Sequence, residues 1–134
     1  MGDWTATFPK ARDTLATARA ELQQAGRSRL KRQQAAEKGW LALAQATDAG
    51  WLHREKKPTE RTSYTAWKTL GGLEAMDDAI AVKAILHGEC FYSGGGKGDP
   101  RPGAGEDACQ PDIIERQFRR VDRLIDIFEQ ATKR

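Results

Sequence analysis

The chain is short of the residues from which catalytic and metal sites are most often built. It has two cysteines and two histidines in 134 residues. Cys90 and Cys109 are too few to suggest the disulfide framework of a small secreted scaffold. Zinc takes four ligands, or three and a water, whereas the soft candidates that could gather are His87, Cys90 and Cys109, the last in a glycine-rich stretch. A ferritin-like di-iron centre would need Glu-x-x-His, but Gly50 and Ala84 stand three places before His53 and His87. No metal and no cofactor is therefore expected. No run approaches the roughly 18 apolar residues of a membrane-crossing helix, so no membrane partner is expected. The start, MGDWTATFPKAR, lacks the apolar core of a signal peptide, and Ala6 breaks the myristoylation pattern. A cytoplasmic protein is the expectation. Alternating β-branched runs are also missing, which argues against strands.

What is present is helical periodicity over one domain, residues 1–134. Charged residues make up 31% and hydrophobic residues 39%, a globular rather than a disordered composition. Pro9 suits a first helical turn, and Phe8, Ala11, Leu15, Ala18, Leu22 and Ala25 repeat at spacings of three and four before Gly26 stops the helix. Ser28 can cap a second helix running to Trp51 or Leu52. Its small residues Ala35, Gly39, Ala42, Ala46 and Ala49 form one ridge, where another backbone can come close. Ala36, Trp40, Leu43, Thr47 and Trp51 form a bulkier stripe beside it. A short helix spans Ser63 to Leu70, and Gly71-Gly72 interrupts it. A third main helix runs from Leu73 to Phe91 with Leu73, Met76, Ile80, Ala84, His87 and Phe91 on its apolar face. The stretch 93–111 holds six glycines and three prolines and reads as a loop. The last helix starts near Pro111 and carries Ile114, Phe118, Val121, Ile125 and Phe128 on one side. The expected fold is all-α: an antiparallel up-and-down bundle of four main helices plus a short extra helix.

The function signals are weaker. Gly94-Gly95-Gly96-Lys97-Gly98 fails as a phosphate loop, because Gly98 stands where Ser or Thr is needed and a helix precedes it. The formal charge is +3, yet Arg27 to Lys57 alone holds eight basic residues against three acidic. Arg27, Arg29, Lys31 and Arg32 cluster at a helix junction and are the candidate anion contact. No aromatic residue interleaves with them, so no base-stacking platform is evident there. His87, Cys90 and Tyr92 are the candidate pocket, with His87 expected as a buried imidazole bonded to a neighbour. Trp4, ahead of the first helix, is expected to fold over a bundle end.

Two segments carry a resemblance. AAEKGWLALAQATDAGW, Ala35 to Trp51, resembles the second helix of HEPN-like helical bundles, particularly the archaeal PaREP-type branch. ILHGECFYSG, Ile85 to Gly94, resembles the leucine-histidine then phenylalanine-tyrosine signature of a later helix in such proteins. The resemblance implies a helical bundle, often dimeric, sometimes linked to nucleotide or RNA transactions. Many HEPN proteins are ribonucleases that use Arg, four to six residues, then His. Here Ile80, Ala81 and Val82 precede His87 at that distance, and Ala46, Thr47 and Asp48 precede His53. The ribonuclease inference does not carry over. The expectation is a non-catalytic HEPN-like bundle acting through association, as a homodimer, with a nucleic-acid or nucleotidyltransferase partner in view. The homodimer is expected because the small ridge and the last helix's stripe offer more packing surface than one neighbour needs. The alternatives are an RNA- or nucleotide-processing enzyme centred on His87 and a small-ligand sensor.

Overall fold

A computed structural model describes residues 3–59, 63–92 and 108–133. The order is α1 (Phe8–Ala25), α2 (Arg29–Glu55), α3 (Tyr64–Val82), a π-helical segment (Lys83–Tyr92) and α4 (Pro111–Ala131). Among the described residues there is no strand, and no helix is long and apolar enough to cross a membrane.

The helix starts follow from capping chemistry. The Thr7, Ser28 and Ser63 hydroxyls accept from the N–H groups of Lys10, Lys31 and Ala66, each satisfying a donor left open in a first turn. Pro9 and Pro111 occupy first turns, where a missing N–H costs nothing. α2 runs one turn past the expected end, to Glu55, and stops where Lys56 turns left-handed at φ 58°. The expected break at Gly71-Gly72 is present as a kink: Gly72 sits at φ 87°, a conformation open to glycine and strained for other residues. The short helix and the first part of the third main helix are thus two arms of α3.

The core draws on every element: Leu15 of α1, Trp67 and Val82 of α3 and Leu86 of the π segment join residues of α2 and α4 in one cluster. Ile114, Phe118, Val121, Leu124, Ile125 and Phe128 are fully buried, as are Ala35, Ala36, Ala42, Leu43 and Ala46. α4 approaches α2 closely at Gly39, where a Cβ would overlap the Phe118 ring. The small ridge of α2 is therefore buried within one chain and meets α4 at Gly39. Both surfaces on which the homodimer expectation rested are consumed inside the monomer.

Three further expectations change. Leu73 is 61% and Ile80 36% exposed, and Ala84 is exposed. The buried line is instead Ala75, Ala79, Val82, Leu86 and Cys90, one face over from the expected one. Trp4 is 70% exposed and does not close a bundle end. Cys90 and Cys109 are joined in a disulfide; the cysteine count gave no hint of it. Most of the expected loop, residues 93–107, lies outside the described residues.

Candidate functional site

His87 stands in the middle of the π segment and faces α2. Its Nδ1 lies 2.8 Å from Glu37 Oε2 and 3.1 Å from Oε1. A carboxylate only accepts, so Nδ1 donates, and in the neutral ring the lone pair falls on Nε2. The side chains of His87 and Glu37 are 26% and 29% exposed. His87 therefore has the expected bonded neighbour but is half-buried rather than enclosed.

Aromatic rings fix the imidazole from several sides. The Trp40 ring is tilted against it at a centroid distance of 5.3 Å, and Tyr92 meets it edge-on at 4.8 Å. Phe91 lies nearly parallel at 6.4 Å. Trp40 is itself held by Trp67, edge to face at 6.3 Å. The buried Trp67 Nε1 donates to Thr47 Oγ1 at 2.9 Å, and that hydroxyl donates on to the Leu43 carbonyl at 2.8 Å. Each buried polar atom in that chain has its partner, so the wall behind His87 is rigid.

The candidate pocket residues meet but do different things. The Cys90 carbonyl accepts from Gln33 Nε2 at 3.3 Å, and its sulfur is bonded to Cys109. Neither sulfur is therefore a thiolate ligand or nucleophile. Tyr92 is 70% exposed at the rim. Among the described residues no group of three His, Cys, Asp or Glu side chains could hold a metal.

Beside His87 a groove of about 370 Å³ is lined by Glu21, Gln34, Glu37, Lys38, Leu41 and Phe91. Lys38 and Glu21 form an ion pair across it. It adjoins a second hollow of about 230 Å³ lined by Glu21, Gln24, Lys31 and Gln34. Lys31 and Gln34 are neighbours one turn apart on α2. One cation of the basic cluster thus lines a hollow that shares Glu21 and Gln34 with the groove holding Phe91, sixty residues later in the chain. Sequence reasoning missed this, because only the fold sets a groove with an aromatic residue beside the Lys31 hollow.

The other cluster members diverge. Arg32 forks onto the Gly26 carbonyl at 3.0 and 2.8 Å, closing the α1–α2 turn. Arg27 is exposed and Arg29 is half-buried.

No protein-family model, curated protein or solved structure matches the chain. The site must be read from its own chemistry. It offers a pre-oriented imidazole with a carboxylate on Nδ1, an apolar floor of Leu41 and Phe91, and cations towards the α1–α2 junction. The two acidic side chains in the groove, Glu21 and Glu37, each have a partner. Such a trough can seat a flat apolar group beside an anionic one.

Proposed function

We propose that this chain is a non-catalytic, HEPN-like association module that binds a short single-stranded nucleic acid or nucleotide in the α1–α2–π groove. The observation that carries this reading is the pair of hollows that share Glu21 and Gln34, with Lys31 in one and Phe91 in the other. A base can stack on Phe91 while a phosphate meets Lys31; stacking gives affinity without base identity, and the cation adds a salt-dependent term. An antiparallel, up-and-down order of the four helices is part of the same proposal. It is supported by cross-contacts in which one number falls as the other rises, Arg12 with Glu129 and Arg19 with Glu115.

The test is fluorescence anisotropy of a labelled single-stranded RNA octamer. Phe91→Ala and Lys31→Glu are each expected to weaken binding about tenfold, on the scale of one stacked base. Removing one phosphate contact lowers the slope of log affinity against log salt by about 0.7. Octamer binding that neither variant changes would remove the groove from the proposal. Light scattering on the same samples reads self-association, for which the exposed Leu73 and Ile80 of α3 are one apolar surface.

A second reading is favoured by the Glu37–His87 pair alone. A carboxylate on Nδ1 leaves Nε2 able to take a proton, the arrangement of a general base. Turnover of RNA by the wild type, lost in a folded His87→Ala variant, would replace the binding reading with this one.

A further inference from the structure

The π segment is the least usual element of the fold. π-helices are rare and occur mostly as single-turn bulges, yet this one runs ten residues, Lys83–Tyr92. Its i→i+5 hydrogen bonds wind the chain more widely than an α-helix, so each residue turns less about the axis. The winding decides where side chains point. Rewound as an α-helix, the same residues would rotate progressively from Lys83 onwards. His87 would swing away from Glu37, and the Cys90 carbonyl away from Gln33.

Something outside the segment must hold the wider winding. Three tethers are present near its C-terminal half. His87 Nδ1 donates to Glu37, and Gln33 Nε2 donates to the Cys90 carbonyl. Both are polar contacts in partly exposed surroundings. The third is covalent: Cys90 is bonded to Cys109, just before α4. Leu86 adds packing from within the segment, its side chain lying beside Gly39.

We propose that formation of the Cys90–Cys109 bond sets the π winding and so assembles the His87 groove. The reduced chain is folded but lacks a formed site. The functional consequence rests on the groove reading above; the winding itself does not. Oxidation by a small disulfide such as oxidised glutathione balances the step. Two thiols become one protein disulfide, and the two electrons and two protons leave on two molecules of glutathione. Cys90 and Cys109 are each fully buried in the finished fold. An attacking thiolate has no direct path to either sulfur, so the bond persists once made. It acts as a one-way assembly step rather than a reversible toggle. A persistent bond of this kind belongs to an oxidising compartment, which sets this inference against the cytoplasmic expectation from the N-terminus.

The experiment compares three samples without any ligand: chain refolded with oxidised glutathione, the same chain reduced, and Cys90→Ala/Cys109→Ala. Thiol titration under denaturing conditions is expected to find no free thiol in the first and both cysteines free in the second. The NMR readouts are the ring-to-ring cross-peaks between His87 and Trp40 and the methyl resonances of Ile114 and Ile125. The cross-peaks are expected in the oxidised chain and lost in the other two, with the α4 methyl resonances retained throughout. Cross-peaks that survive in the reduced chain or the double variant overturn the proposal. So do two free thiols after oxidative refolding. Loss of the α4 resonances in both samples that lack the disulfide overturns it as well, because the bond would then hold the whole fold and not one segment. RNA binding takes no part in this readout, so the groove proposal and the winding proposal fail separately.

Discussion

Helix α2 packs against every other element, and two of its seams are held by different physics. Against α4 it is held by shape: Gly39 takes the Phe118 ring, and Phe118, Val121 and Ile125 have no exposure left. Against the π segment it is held by polar contacts and aromatic edges. Only Leu86 and Cys90 of that segment are buried, and the link across the seam is His87 with Glu37 and Gln33 with the Cys90 carbonyl. The first seam gives stability. The second keeps polar atoms and rings partly in solvent, where a ligand can reach them. One helix thus serves as core on one side and as the floor of a groove on the other.

The largest effect that separates the seams is a matched truncation. Phe118→Ala removes a fully buried ring and is expected to cost about 3–5 kcal/mol. Phe91→Ala removes a half-buried ring at the groove and is expected to cost less than about 1 kcal/mol. Urea unfolding of the two variants gives both values. Equal costs would break the distinction, because the π seam would then be core like the other. The control is Gly39→Ala, whose methyl meets Phe118 and Leu86 at once; overpacking there costs about 1–3 kcal/mol.

His87→Ala comes next in size. It leaves the Glu37 carboxylate without its donor, but that side chain is 29% exposed and water can take the place. A loss of about 1 kcal/mol is expected, near the value of a single hydrogen bond. The variant is expected to stay folded and to leave no RNA-cleaving activity to lose. A cost of about 3 kcal/mol would mean that the pair is sealed in the interior and belongs with the α4 seam.

The same contrast explains what could be read from the sequence. The α4 seam was legible because burial leaves a period: Ile114, Phe118, Val121, Ile125 and Phe128 repeat at three and four, and the small residues of α2 repeat against them. Caps at Ser28 and Ser63 and the break at Gly72 were legible because each is a local backbone requirement. The face of the third helix was misread. Its outward residues Leu73 and Ile80 are apolar, whereas its inward ones are chiefly small, Ala75 and Ala79. Hydrophobicity then points to the wrong side of the helix. The π winding displaced the later residues further, and no residue pattern announces that geometry. His87 was found as a candidate, but Glu37, its partner on α2, was not, because fifty positions separate them. The disulfide was hidden for the same reason: spacing alone does not say whether two cysteines meet.

The smallest expected effect lies on the opposite flank, where α1 meets α4 through charge. Arg12 Nη2 reaches Glu129 at 2.7 Å and Asp126 at 2.9 Å. The hydrogen bond from Arg12 holds the Glu129 carboxyl below the usual range, and the same bonds raise the Arg12 guanidinium. A carboxyl whose folded value is depressed adds stability above its unfolded value, about 4.3 for Glu. That contribution is lost as pH falls through the lowered folded value. The guanidinium keeps its charge across the whole window. Wild type and Arg12→Gln should therefore differ most near neutral pH, and the gap should close as pH falls below the ordinary carboxyl range and through the lowered Glu129 value. Both partners are partly exposed, at 37% and 28%, so salt should shrink the gap as well. Paired urea titrations across pH, at low and high salt, read it directly. A gap that is flat with pH would mean that Arg12 acts through its aliphatic stem packing along α4 rather than through its charge. The flank would then be held by shape, as the α4 seam is.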